Sequence, residues 1–73
     1  MNEIIRKRDP DQNLARFYVL RVQAELFGGW ALIREWGRIG SPGQVRVEPH
    51  ADLTAADNHA AKIAAAKRRK GYA

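Results

Sequence analysis

The stretch ARFYVLRVQAELFGGWALIREWGRI, residues 15–39, decides the fold because it contains two strand patterns joined by glycines. Its first half is rich in aromatic and β-branched residues, which favour extended structure. Period-two alternation places one set of its side chains on each face: Tyr18, Leu20, Val22 and Ala24 on one, Phe17, Val19, Arg21 and Gln23 on the other. Gly28 and Gly29 predict a two-residue hairpin turn, because both positions can adopt positive φ.

Two more strand patterns and one helix pattern flank this stretch. Residues 3–9 and 44–50 predict short strands, and GSPG at residues 40–43 predicts a turn. Residues 55–70 are mostly strong helix formers. Thr54 and Asp57 resemble a capping box at the start, and Gly71 is placed to end the helix. We therefore expect an α+β fold: a single domain, residues 1–73, with an antiparallel sheet of about four strands and one C-terminal helix packed on one face.

The strand pattern in the second half of residues 15–39 also has two faces, and their side chains differ in size and charge. The first carries Trp30, Leu32, Arg34, Trp36 and Arg38, and the second carries Ala31, Ile33, Glu35, Gly37 and Ile39. The helix is rich in alanine and has one bulky apolar residue, Ile63. We expect the smaller face to pack against it, with Trp30 held in the core or in hairpin packing. Arg34, Trp36 and Arg38 would then be displayed to solvent or a ligand, and Gly37 would leave the backbone accessible.

The net charge of +5 is concentrated in the last thirteen residues. Residues 1–60 contain eight basic and eight acidic side chains, whereas residues 61–73 contain five basic side chains and no acidic one. A concentrated basic patch attracts polyanions such as nucleic acids. The alternative is a solvated helix end whose cations complement the helix dipole.

Several classes of function are not indicated by the sequence. There is no cysteine for a disulfide or a zinc-thiolate site, and the spacing of His50 and His59 fits no recurring metal-ligand pattern. No nucleophile–base pair, P-loop or dinucleotide-binding pattern is present, so we predict neither an enzyme nor a bound cofactor. There is no signal peptide and no apolar run long enough to span a membrane. We expect a cytoplasmic protein with no membrane partner and no small-molecule substrate.

Four blocks in a fixed order resemble one known family. They are RFY at residues 16–18, WGRIG at 36–40, GQ at 43–44 and KRRKGY at 67–72. The sequence resembles the WGR domains of poly(ADP-ribose) polymerases and of bacterial proteins. The resemblance implies a small antiparallel sheet with a C-terminal helix, and binding at DNA ends.

The resemblance also implies roles for individual residues. The motif's tryptophan, here Trp36, would stack on the sugar of a terminal nucleotide, and Arg16 and Tyr72 would lie near its phosphate. In the polymerases the motif's arginine contacts neighbouring domains and lies near the DNA. We expect no neighbouring domain here, and we therefore expect Arg38 to contact phosphate directly. The polymerases have Asn directly before the basic-Phe-Tyr group, where this chain has Ala15. We expect no catalytic domain beside the motif, so the resemblance does not imply ADP-ribosylation.

These observations together predict a non-catalytic module that binds nucleic acid, DNA above all. The predicted contact residues are Arg16, Trp36, Gly37, Arg38, Lys67, Arg68, Arg69, Lys70 and Tyr72. Two local alternatives remain open: Trp36 as part of the sheet core, and Arg38 in an ion pair with Glu35 or Glu48. An alternative function is docking on a partner protein through Arg34, Trp36 and Arg38, since interfaces favour Trp and Arg.

Overall fold

A computed structural model describes residues 2–73 as one four-stranded sheet and one long helix. The elements are β1 (Asn2–Asp9), a 3₁₀ turn (Pro10–Gln12), β2 (Leu14–Ala24), β3 (Trp30–Arg38), β4 (Gln44–His50) and α1 (Leu53–Arg69). The strands lie in the order β1-β2-β3-β4, and every neighbouring pair is antiparallel. The predicted α+β fold class is confirmed.

The core lies between the sheet and α1, and it is built from large residues on the sheet and small ones on the helix. Ala56, Ala60 and Ala64 are buried at a spacing of four, so they form one stripe along α1. The buried sheet residues packed with them are Ile5, Tyr18, Leu20, Val22 and Leu32. Leu20 and Leu32 are fully inaccessible to solvent.

The face of β3 that packs against the helix is the opposite of the one predicted from the sequence. The register pairs Tyr18 with Trp36 and Val22 with Leu32, so β3 turns its larger side chains toward α1. The prediction was wrong because alanines supply almost no side-chain volume. The sheet therefore has to fill the core with its large residues. Trp30 packs against this core, as expected.

The turn between β2 and β3 is longer than the sequence predicts. Gly28 and Gly29 both have positive φ, at 104° and 78°. The strands nevertheless end at Ala24 and begin again at Trp30, which makes a five-residue connection rather than a two-residue hairpin turn. A backbone hydrogen bond from Glu25 N to Gly29 O, at 3.0 Å, closes this larger loop.

Helix α1 begins two residues earlier than the capping-box pattern predicts. The N-cap is Asp52, whose carboxylate accepts a hydrogen bond from the Ala55 amide at 2.8 Å. The other end follows the prediction, with Gly71 at φ 100° just after the C-cap. The Gly71 and Tyr72 amides donate to the carbonyls of Arg68 and Lys67, which is a Schellman motif. Within residues 2–73, no helix combines the length and apolar character needed to cross a membrane.

The residues after α1 return to the sheet along its β1 edge. The Ala73 amide donates to the Arg6 carbonyl at 2.8 Å, and the Arg6 amide donates to the Ala73 carbonyl at 3.0 Å. These two bonds anchor the segment that follows the helix. They fix Tyr72 beside the sheet.

Two glycines allow the β3–β4 turn to fold closely against the sheet. A Cβ on Gly37 would lie 2.9 Å from the Gly43 Cα. A Cβ on Gly43 would collide with the Trp36 carbonyl oxygen and lie 2.8 Å from the Phe17 ring. Close packing against the turn thus requires a glycine between Trp36 and Arg38, whether or not a ligand contacts its backbone.

Gly43→Ala is expected to destabilise the protein by about 2 kcal/mol, because the added methyl group forces the turn away from the Trp36 carbonyl. For a chain of this size the melting temperature should fall by roughly 10 °C, measured by circular dichroism. Ser41→Ala in the same turn is the matched control and should leave the melting temperature nearly unchanged. An unaltered melting temperature for Gly43→Ala would show that the turn relaxes freely.

Candidate nucleic-acid interface

Three cations lie directly opposite one another across three strands of the sheet. The register pairs Lys7 with Arg16 and Arg16 with Arg38, which forms the basic row Lys7–Arg16–Arg38 on the helix side of the sheet. Like charges directly opposite each other destabilise a sheet. A row of three cations therefore lowers the stability of the sheet where nothing offsets the repulsion.

An open groove of about 530 Å³ lies at one end of the basic row and is called the Trp36 groove. It is lined by Gln12, Asn13, Leu14, Arg16, Trp36, Gly37, Arg38, Pro42, Gly43 and Gln44. The end of the 3₁₀ turn, the start of β2, the end of β3, the β3–β4 turn and the first residue of β4 together supply these residues. The groove brings the predicted contact residues Arg16, Trp36, Gly37 and Arg38 to one place.

A second groove, of about 360 Å³, adjoins the first and is called the Tyr72 groove. It is lined by Lys7, Gln12, Leu14, Arg16, Lys67, Lys70 and Tyr72. Arg16, Gln12 and Leu14 belong to both grooves, so the two form one continuous surface. Neither groove has a carboxylate in its lining within the part of the chain that the structure describes.

Three aromatic rings connect the grooves to the core. Trp36 stacks on Tyr18 with ring centroids 5.8 Å apart and an angle of 14° between the planes. Tyr72 meets Tyr18 edge-on, with centroids 6.4 Å apart. Trp36 is half-buried against the core and also lines the Trp36 groove. One part of its ring therefore contacts the core while another part faces the groove.

The charge of Lys67 shows how strongly the cations crowd together. Its ammonium lies 4.7 Å from the centre of the Tyr18 ring, within range of a cation–π interaction. Burial lowers the pKa of Lys67 below its usual range, and the nearby charges of Lys70, Arg34 and Arg16 lower it further. A bound phosphate would reverse this effect, because a nearby anion favours the charged form of an amine.

Comparison with known proteins identifies the family. The model of the WGR domain matches residues 1–73. The chain belongs to the WGR domain family. It is 35% identical over 68 residues to the uncharacterized protein y4dW of Sinorhizobium fredii, and the match covers 93% of this chain and 33% of that protein. The WGR domain described here thus spans about a third of the length of that relative. No solved structure matches it.

The motif arginine of this WGR domain forms neither of the ion pairs considered from the sequence. Arg38 donates to the backbone carbonyl and the side-chain oxygen of Asn13, both at 3.4 Å. Both bonds are long and exposed, so the guanidinium is held only weakly. Asn13 also lines the Trp36 groove. It lies two residues before Ala15, the position at which the polymerases have Asn.

Arg34 is engaged within the WGR domain. Its guanidinium donates to Glu48 at 2.7 Å and to the Tyr18 hydroxyl at 2.8 Å. Burial lowers the pKa of Arg34, but these two hydrogen bonds outweigh it and the pKa is raised. The hydrogen bond from Arg34 in turn lowers the pKa of Glu48, against the opposing effect of its partial burial. Arg34 therefore orients Tyr18, on which Trp36 stacks.

The four basic residues at the end of α1 have different environments. Lys67 and Lys70 line the Tyr72 groove. Arg68 forms an ion pair with Glu3 of β1, and Arg69 is exposed and lines neither groove. Lys67 and Lys70 are three residues apart and so lie on one side of the helix, whereas Arg68 and Arg69 point away from that side.

Lys7 lines the Tyr72 groove although the sequence pattern did not single it out. It belongs to the charged run RKRD in β1, where adjacent side chains point to opposite faces of the sheet. The β1–β2 register places Lys7, rather than Arg6 or Arg8, directly opposite Arg16. The alternation of β1 alone, with Ile5 in the core, indicates the same face for Lys7.

The two histidines lie together at the sheet edge. His50 Nε2 and His59 Nδ1 are 3.1 Å apart, and His59 Nδ1 is 3.8 Å from a Glu48 oxygen. In the described residues no three His, Cys, Asp or Glu side chains are arranged to hold a metal ion. The histidines thus connect α1 to β4 and to the Arg34–Glu48 pair.

Proposed function

We propose that this WGR domain is a non-catalytic module that binds nucleic acid, and DNA ends in particular. The observation that carries the proposal is the basic row Lys7–Arg16–Arg38, joined by Lys67 and Lys70 in two adjoining grooves without a carboxylate. Phosphate contacts of this kind are independent of base sequence and sensitive to salt.

The two grooves suit different parts of a nucleotide. Trp36 offers an aromatic surface beside Arg38, which fits the sugar of a terminal nucleotide. Arg16, at the junction, and Tyr72, in the second groove, fit its terminal phosphate. Aromatic stacking contributes about 1–3 kcal/mol per contact and tolerates any base. A strand end would therefore lie across both grooves, with Lys67 and Lys70 near the following phosphates.

The test is fluorescence anisotropy with a short labelled DNA duplex that has a 5′-phosphate at its end. Competitors are the same duplex without the phosphate and a closed DNA circle, at two salt concentrations. The phosphorylated end should compete about tenfold better than the others, which corresponds to about 1.4 kcal/mol. Equal competition by all three would contradict end recognition and leave only general attraction to polyanions.

Trp36→Leu is expected to weaken binding to the phosphorylated end by about tenfold through loss of stacking, while the slope of affinity against salt stays the same. Leucine keeps an apolar side chain against the core, so the fold should persist. The matched control is Trp30→Leu, on the same strand face and against the same core but outside both grooves. Equal losses of affinity from the two variants would contradict the role of Trp36.

Docking on a protein through the Trp-Gly-Arg face has less support from the geometry. Of the three residues that would form its hot spot, Arg34 is bound to Glu48 and Tyr18, and Trp36 is half-buried. Arg38 alone is exposed. The cations that line the grooves fit a polyanion better than a protein surface.

A further inference from the structure

The face of the sheet that points away from α1 is uncovered and largely apolar. The cross-strand row Ile4–Val19–Glu35–Val45 crosses its middle, and the row Asn2–Arg21–Ile33–Val47 runs beside it. Ile4, Val45 and Val47 are 54%, 60% and 55% exposed. They lie on the two edge strands, and Val19 between them is 8% exposed. Exposed apolar surface on a sheet face of this kind is typical of an interaction site.

Two opposite charges lie at the centre of this outer face. Arg21 and Glu35 are on the two central strands, in neighbouring rows, and are therefore diagonal neighbours. Neither has an ion-pair partner within residues 2–73. The patch thus has one positive and one negative group at its centre, with aliphatic side chains around them. Arg6 and Arg8 lie on the same face, farther along the edge strand β1.

This arrangement is self-complementary. In a two-fold symmetric dimer the same patch on both copies must match itself. A two-fold axis lying in the plane of the interface, midway between Arg21 and Glu35, exchanges their positions. Each Glu35 then faces Arg21 of the other copy, and the aliphatic residues of the two faces meet around two ion pairs.

We propose that the outer face binds a second copy of this chain, sheet against sheet, with reciprocal Arg21–Glu35 pairs at the two-fold axis. Four strands spaced about 4.8 Å apart, with about eight residues of 3.3 Å each, present about 500 Å² per copy. The total of about 1,000 Å² lies at the lower limit for a specific interface, so the dissociation constant should be micromolar rather than nanomolar. Helix α1 and both grooves lie on the other side of the sheet, where this dimer leaves them open.

The test is sedimentation equilibrium of the unmodified chain from about 10 μM to about 1 mM, a range that spans micromolar to millimolar dissociation constants. A reversible monomer–dimer equilibrium is expected. Arg21→Glu and Glu35→Arg, made separately, each place like charges across the axis and should weaken the dimer at least tenfold. Mixing the two variant chains restores opposite charges at both contacts, so a mixed dimer should form with an affinity near that of the unmodified chain.

Phe27→Ser is the matched control, because Phe27 is 97% exposed but lies in the β2–β3 loop outside the outer face. It should leave the dissociation constant unchanged. Circular dichroism of every variant establishes that the fold is intact. A chain that stays monomeric up to about 1 mM would overturn the proposal. A dimer whose dissociation constant is the same in both charge variants as in the unmodified chain would also overturn it.

Discussion

The double variant Lys67→Gln and Lys70→Gln is expected to lower the affinity for DNA roughly 50-fold at 0.1 M salt, because two phosphate contacts are lost. With four or five phosphates neutralised by the intact chain, the slope of log K against log salt should be near −4. Removing two cations should flatten the slope by about 2. Titrations of a labelled duplex at several salt concentrations measure both quantities.

A matched control lies on the same helix. Lys62→Gln with Arg69→Gln removes the same net charge from residues that are exposed and line neither groove. This control should retain most of the affinity and slope. If both double variants lose affinity equally, binding depends on net charge, and the grooves have no special role. That result would also contradict the division of the four basic residues into two pairs.

Leu32→Ala is expected to remove about 3 kcal/mol of stability, because Leu32 is fully buried where the sheet meets the alanine stripe of α1. A chain of 73 residues has a total stability of about 4–11 kcal/mol, so this loss is a large fraction of it. The melting temperature should fall by roughly 15 °C, as measured by circular dichroism or calorimetry.

The control for Leu32 is another leucine with the opposite environment. Leu26 is 87% exposed in the β2–β3 loop, and Leu26→Ala should change stability by no more than about 0.5 kcal/mol. A small effect at Leu32 would mean that α1 moves in to fill the space. The same measurement tests the corrected orientation of β3, because the sequence-based packing left Leu32 on the face away from the helix.

The α+β arrangement follows from local features that the sequence displays directly. Alternating patterns with β-branched and aromatic residues mark the strands, and the alanine-rich segment before Gly71 marks the helix and its end. The loop between β2 and β3 is less determined, because two adjacent glycines allow several loop lengths. The helix start at Asp52 rather than Thr54 was missed because several side chains there are able to cap a helix.

The residues of the candidate interface could be predicted only in part from the sequence. The sequence itself shows the Trp-Gly-Arg motif and the basic end of α1. The resemblance to WGR domains added Arg16 and Tyr72 to the predicted contact residues. The strand register adds Lys7 to this set, because the residues around Lys7 in sequence do not show that it pairs with Arg16, nine positions later. The helix geometry also separates Lys67 and Lys70 from Arg68 and Arg69.

By itself, the sequence of this WGR domain determined which segments are strands or helix and where the excess positive charge lies, because these depend on neighbouring residues. Only the tertiary structure decided which face of β3 meets α1, which cations share a groove, and that Arg21 and Glu35 lie together on an open apolar face. Those outcomes depend on the register between strands and on the volume needed to fill the core. The register and the core volume both depend on residues that are far apart in the chain and meet only in the folded protein.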